Sequence, residues 1–299
     1  MTRPSVLLLA QRGDVGAMAI ASLLRRRAVC DVTLVDEFAF SRYAMLHAPD
    51  SGPAQDAPSG RPGPLERTAE RALPRGIGYA LDRPYDVILC RAATFRSKNF
   101  SKPSDAEYAA AEIHAFALSW LWSRRELVVN PPTPACLSGV ALDALGVARA
   151  CATVGLATPA VLLTTDAARV DRARTAHAQR RSWIGVAPGD LDAAVVEAGP
   201  PLAAPALWVE ELLPERRSVL VCNGALVDAP AALAGRLLEL ATSIALPVAE
   251  IRLARSAHRQ GVVVVGVSPV PMLRSTAHLQ AIAAELERRA AEHNERAAA

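Results

Sequence analysis

Apolar residues along the 299-residue chain fall into short runs divided by turn-forming residues, and these runs alternate with stretches of helical periodicity. Residues 5–10 form an apolar run, 11–14 a turn, 15–27 a helical stretch and 29–36 a second apolar run. This order predicts β-turn-α-β, the opening of a doubly wound sheet. Residues 85–90 predict another short strand. The basic loop 91–102 behind it stands where α/β sheets place ligand groups. Ser104, with Glu107 three residues on, predicts a capping box that opens a helix running to Arg125. Residues 127–130 then predict a strand stopped by Pro131 and Pro132.

The second half reads as mixed α and β. Helical periodicity covers 137–154, strands are predicted at 160–165 and 182–187, and Thr165 or Asp166 caps the helix between them. After a proline-rich break at 199–205 come strand-like runs at 207–212, 218–222 and 226–228, then a helix at 230–244. Paired strands at 247–254 and 261–267 share a polar turn, and a helix at 275–293 ends the series. Residues 48–64 are rich in Pro, Gly, Ser and Asp and too poor in apolar groups to pack, so a mobile insertion is expected there. The divisions that follow are 1–131, 132–204 and 205–299, with no internal repeat.

Composition narrows the class of protein. The chain is 51% hydrophobic and only 4% aromatic, as expected of a compact α/β protein. Its formal charge of +3 comes from arginines in short groups such as Arg25, Arg26, Arg27 and Arg288, Arg289, which read as solvated helix faces; no nucleic-acid partner is expected. Five dispersed cysteines without a CxxC pair suggest neither a disulfide framework nor a zinc site, and the six histidines show no metal-ligand spacing. No run approaches the ~20 apolar residues of a membrane span, so a cytoplasmic protein without a membrane partner is expected. Gln11 to Gly16 followed by Asp36 invites a dinucleotide reading, but Gln11 stands where its first glycine belongs.

Four stretches carry a family resemblance: VLLLAQRGDVGAMAIASLLRRRAVCDVTLVDEF at 6–38, the segment 107–165 with VVNPPTPACLSG and GLATPAVLLTTD, LWVEELLPERRSVLVCNGALVD at 207–228, and VVVVGVSPVPML at 262–273. Together they resemble the ATP-grasp ligases, in the peptide-maturase branch of graspetide, microviridin and ribosomal-protein glutamate ligases. The resemblance spans nearly the whole chain. It implies an α/β ATP-grasp-like fold, with an N-terminal doubly wound pre-ATP-grasp domain followed by two α+β subdomains, and a homo- or hetero-dimer.

Such a site needs phosphate-binding lysines, a flap, an arginine near the transferred phosphate, and acidic plus Asn ligands for magnesium. At the matching positions stand Gly185 for the lysine, a short 199–205 for the flap, Ser218 for the arginine, Gly266 for an acid and Ser268 for the asparagine. Arg216 or Arg217 replaces the arginine if the register shifts, and the remaining acid is Glu250, or is displaced by Ile251. The resemblance places Glu210 and Glu211 at the nucleotide hinge, so the nucleotide-binding candidates are Glu210, Glu211, Arg216 and Arg217. The basic loop supplies Arg91, Arg96, Lys98 and Lys102 as candidates for a substrate or partner. Glu250 is the one metal candidate, so ATP is the implied cofactor and magnesium lacks its ligands. The expected protein is a degenerate, non-catalytic member that binds a peptide, partner protein or nucleotide as accessory to a peptide-modifying enzyme. The alternative is an active ATP-dependent carboxylate-amine ligase forming an acyl phosphate.

Overall fold

Ser5–Ala10 (β1) is buried at five of its six positions because it is the middle strand of a parallel sheet, with no water-facing side. The computed structural model describes residues 3–47, 81–95, 101–164, 183–186, 206–210, 212–256 and 260–298. The expected insertion at 48–64, the flap at 199–205, and Arg96, Lys98 and Glu211 lie outside them. β1 pairs with Asp31–Asp36 (β2) and Val87–Cys90 (β3) in the order β2-β1-β3, with Val6 opposite both Val32 and Val87. Between β1 and β2 lies the helix Val15–Arg27 (α1), capped by Asp14, whose Oδ1 accepts from the Ala17 amide at 3.0 Å. Ala17, Ile20, Ala21 and Leu24 form its buried stripe at helical spacing. The predicted β-turn-α-β opening is therefore present.

The helices Glu37–His47 (α2) and Pro103–Trp122 (α3) bring the scarce aromatic residues together. The Phe40 ring stacks on Phe95 at 4.8 Å and meets Trp120 edge-on at 5.8 Å. The predicted capping box is absent: Lys102 is the N-cap of α3 without a side-chain bond, and Pro103 starts the helix with its fixed φ. The strand expected at 127–130 is a single parallel bridge between Ile88 and Val128. Pro131 and Pro132 have no amide hydrogens to extend it.

The helix expected at 137–154 covers only Ala144–Thr153 (α4), capped by Asp143. Leu137 is instead buried in a turn, its amide bonded to the Ala93 carbonyl at 2.9 Å. Two antiparallel sheets follow. Val161–Thr164 (β4), Trp183–Val186 (β5) and Ala206–Glu210 (β6) make one, in the order β4-β6-β5. Leu212–Cys222 (β7), Ala225–Val227 (β8), Val248–Ser256 (β9) and Val262–Ser268 (β10) make the other, in the order β10-β9-β7-β8. Asn223 and Gly224 turn β7 into β8 with φ of 48° and 75°, the left-handed pair that a two-residue hairpin requires. A 3-10 turn at Ala231–Leu233 and the helices Ala234–Ser243 (α5) and Thr276–Ala298 (α6) complete the described elements.

One face of the four-stranded sheet is the core. Val219 and Val221 of β7, Ala249, Ile251 and Leu253 of β9, and Val264 and Val267 of β10 pack with Leu237, Leu240 and Ala241 of α5 and with Val147 and Cys151 of α4. Each full burial of a Val, Leu or Ile side chain contributes roughly 1.5–3 kcal/mol, so this face fixes the sheet and the opposite one is open to polar residues. The chain divides into two compact units, Met1–Gly139 with Ala283–Ala299, and Val140–Ile282. In the first unit the C-terminal part of α6 is tied by Glu287 to Arg27 at 2.9 Å and by His293 to Asp86 at 3.1 Å. No helix among the described residues is long and apolar enough to cross a membrane.

Candidate functional site

Because side chains alternate along a strand, sending Ile251 and Leu253 into the core puts Glu250 and Arg252 on the opposite face of β9. The pairing register builds two rows across three strands: Leu220, Glu250 and Ser268 in one, Ser218, Arg252 and Gly266 in the next. Ser218, Glu250, Gly266 and Ser268, identified from the sequence one segment at a time, thus share one sheet face. Glu250 is on this face, whereas Ile251 packs in the core.

Glu250 is 2% exposed, and its carboxylate is held from three sides. Oε1 accepts from the Ser218 hydroxyl, Oε2 accepts from the Met272 amide at 3.0 Å, and Arg274 Nε lies 3.7 Å from Oε1. A buried carboxylate is costly unless paired and hydrogen-bonded, and these donors meet that requirement. Ser268 is turned onto its own loop: its hydroxyl donates to the Val270 carbonyl at 3.0 Å and accepts from the Val270 amide at 3.1 Å.

Gly266 is buried, and its missing side chain is replaced by another residue's. A Cβ built there would lie 2.5 Å from Nη2 of Arg252, 2.9 Å from Nε and 3.0 Å from Cζ. The guanidinium therefore fills the space that a residue-266 side chain would enter. Arg252 was not singled out by sequence reasoning. The available signal was its place two residues from Glu250, on the same face of a strand.

The magnesium implied by the resemblance does not fit these residues. Magnesium takes a near-octahedral oxygen shell at about 2.1 Å, usually with one or two carboxylates. Among the described residues of this face, the Glu250 carboxylate is engaged by two hydrogen bonds and an ion pair, and its neighbours are a guanidinium, a glycine and a self-bonded hydroxyl. Among the described residues no three His, Cys, Asp or Glu side chains gather as a metal-binding set.

At one end of the same sheet, Glu215, Arg216, Arg217, Arg255 and Val262 line a cavity of about 240 Å³. With Pro230, Leu253 and Ala254 also lining it, three arginines against one glutamate make its lining residues net basic. Arg216 and Arg217 are both exposed, with Arg216 donating to the Leu213 carbonyl. Glu210 lies in β6 opposite Trp183, and Gly185 lies in β5 opposite Trp208.

Arg91 and Lys102 belong to the first unit. Arg91, 6% exposed, meets the Asp14 carboxylate through both Nε at 2.9 Å and Nη2 at 3.2 Å, joining the end of β3 to the cap of α1. Gly16 permits this approach, since a Cβ there would stand 2.6 Å from Arg91 Nη2. Lys102 is exposed at the start of α3.

No protein-family model matches the chain, and no curated protein matches it significantly. Solved structures do. The ATP-grasp ligase PsnB, complexed with precursor peptide PsnA2 and AMPPNP, aligns over 97% of this chain and 98% of its own with a TM-score of 0.65 and 15% identity. The macrocyclase MdnC from Microcystis aeruginosa MRC, bound with precursor peptide MdnA, aligns over 95% and 99% with a TM-score of 0.62 and 11% identity. A Chryseobacterium gregarium RiPP-associated ATP-grasp ligase, in complex with ADP and a leader and core peptide, aligns over 98% and 97% with a TM-score of 0.57 and 10% identity. What is shared at these identities is the fold. The chain has the ATP-grasp fold over nearly its whole length, as the resemblance implied.

Proposed function

We propose that this protein binds a peptide or partner protein, together with a nucleotide, on an ATP-grasp scaffold and does not ligate them, acting as an accessory to a peptide-modifying enzyme. The observation that carries the reading is the state of the polar sheet face, where Glu250 is engaged by Ser218, Met272 and Arg274 while the Arg252 guanidinium covers Gly266. Phosphoryl transfer depends on positioned cations, usually metal ions bridging the phosphates, and among the described residues this face offers no pair of carboxylates to hold one. The peptide half of the proposal is supported by the fold neighbours, which were crystallised with precursor peptides. The nucleotide half is supported by the basic cavity at Arg216 and Arg217, with Glu210 and Glu211 as the hinge candidates. Cytoplasmic location and homo- or hetero-dimer formation belong to the same proposal; the five buried cysteines, none in a disulfide, suit a reducing compartment.

The competing reading, an ATP-dependent carboxylate-amine ligase, is favoured by the same neighbours, which are peptide ligases. An ADP-release assay with magnesium, ATP and acidic candidate peptides, read alongside peptide mass, separates the two. The accessory reading expects no release above the protein-free rate and no loss of water from the peptide. Magnesium-dependent ADP formation coupled to such a loss establishes the ligase.

A further inference from the structure

The cavity at the end of the four-stranded sheet belongs to the face that the helices cover. Residues paired directly across two strands point to the same side of a sheet. Arg217 of β7 pairs with Leu253 of β9, and Leu253 is buried in the core with Leu237 and Leu240 of α5. Arg255, two residues beyond Leu253, returns to that side by strand alternation and pairs with Val262 of β10, which packs against the same core. Arg217 and Arg255 are thus diagonal neighbours, about 7–8 Å apart. Like charges so placed repel, and against three arginines the lining supplies one carboxylate, Glu215. Arg216 donates to the Leu213 carbonyl, whereas the exposed side chains of Arg217 and Arg255 have no hydrogen-bond or ion-pair partner among the described residues. Leu253, 1% exposed, and Val262 give the cavity an apolar floor, where charge is screened less than in open water. An anion entering there meets two unbalanced charges whose forked donors match phosphate oxygens. The volume of about 240 Å³ falls below the roughly 300–1,000 Å³ of pockets that enclose a drug-sized ligand, so the cavity suits the phosphate end of a nucleotide rather than the whole molecule.

We propose that Arg217 and Arg255 hold the terminal phosphates of a nucleotide in this cavity, without a divalent metal ion. This assignment rests on the nucleotide-binding reading given above and deepens it. Arg255, which sequence reasoning did not single out, becomes the second phosphate-binding cation. The phosphates then lie on the helix-covered side of the sheet, away from Glu250, Gly266 and Ser268 on the opposite face, where the resemblance puts the metal ligands. An arginine keeps its charge at every physiological pH, so two of them hold a phosphate without help from a metal ion.

The test is calorimetric titration of the full-length protein with ADP, in excess EDTA and in excess magnesium, for the unaltered chain and for Arg217→Gln, Arg255→Gln and Glu215→Gln. Adenosine and pyrophosphate are titrated in EDTA as well. ADP affinities in EDTA and in magnesium are expected to agree within about twofold. Each arginine variant is expected to weaken ADP about tenfold, the loss of one charge-assisted contact, and Glu215→Gln to tighten it about two- to threefold. Adenosine is expected to bind at least about tenfold more weakly than ADP, and pyrophosphate to compete with ADP. Thermal unfolding shows whether each variant folds; if an arginine variant does not, the Glu215→Gln titration and the pyrophosphate competition decide. Binding of ADP that needs magnesium overturns this assignment and leaves nucleotide binding standing. ADP affinity that the folded arginine variants leave unchanged, or that pyrophosphate does not reduce, overturns it likewise. Absence of ADP binding in both conditions overturns the underlying reading as well.

Discussion

Ser218 and Glu250 are diagonal neighbours on strands β7 and β9, and the serine hydroxyl donates to Oε1 of the carboxylate. With the Met272 amide on Oε2, Glu250 becomes a strut between β7 and the loop that leaves β10. An acid that a segment-by-segment reading offers as a metal ligand is thus occupied inside the protein.

Glu250→Ala is expected to destabilise the fold by about 2–3 kcal/mol, because it leaves the Met272 amide and the Ser218 hydroxyl without their acceptor. Urea denaturation checks this as a lower midpoint with an unchanged slope. An unchanged midpoint would mean that the carboxylate is not a strut and is free for a ligand.

Gly266→Ala should displace the Arg252 guanidinium from its floor. The contact is with the far end of a flexible side chain, so stability is expected to fall by less than about 1 kcal/mol. Urea denaturation reads this as a small fall in midpoint. A loss of several kcal/mol would mean that the guanidinium cannot give way at this position.

Arg91→Ala breaks a pair whose side chains are 5% and 13% exposed and leaves the Asp14 charge in a shielded place. A loss of about 3 kcal/mol is expected, and Arg91→Lys should recover only part of it, since lysine cannot make the two-point contact. Comparative thermal melts decide. If Arg91→Ala instead keeps full stability and loses peptide affinity, the residue serves a ligand rather than the fold.

Asp86 supplies the pH dependence. Burial works to raise its pKa, but the Ser5 amide at 2.6 Å, the His293 ring at 3.1 Å and the Ser5 hydroxyl at 2.9 Å together hold it below the ordinary value. A carboxylate whose folded pKa is depressed stabilises the fold above its unfolded pKa of about 3.9, and that contribution is lost as pH falls through the folded value. Urea midpoints followed downward from neutral pH should therefore drop below about pH 4. Asp86→Asn is expected to show a lower midpoint at pH 7 and a shallower drop. A variant with the unaltered protein's profile would show that Asp86 carries none of it.

Burial pushes the thiols of Cys90 and Cys151 up to about 12 and that of Cys30 up to about 11. Since the thiolate is the reactive form, all three are expected to resist iodoacetamide in the native protein and to react after unfolding. Mass spectrometry of the alkylated peptides reads the outcome, and rapid native labelling of Cys90 would contradict its burial.

Elements whose signal is local were legible in the amino-acid order. The run of β1, the turn at 11–14 and the periodicity of α1 sit within a few residues of one another. Where a distant partner decides, local reading missed. Leu137 looked helical, but its amide serves Ala93; residues 127–130 looked like a strand, but only Val128 bridges Ile88. The same division runs through the site. Ser218, Glu250, Gly266 and Ser268 could be picked out by residue type, each in its own segment.

By itself the chain determined the order of most strands and helices and which faces of the strands are apolar. These follow from side-chain periodicity and residue chemistry, which act within one element. Only the tertiary structure decided that Glu250 bonds to Ser218 and Met272, that Arg91 rests on Asp14 over Gly16, and that Arg252 covers Gly266. Those contacts depend on strand register and chain crossing, which join residues far apart in sequence.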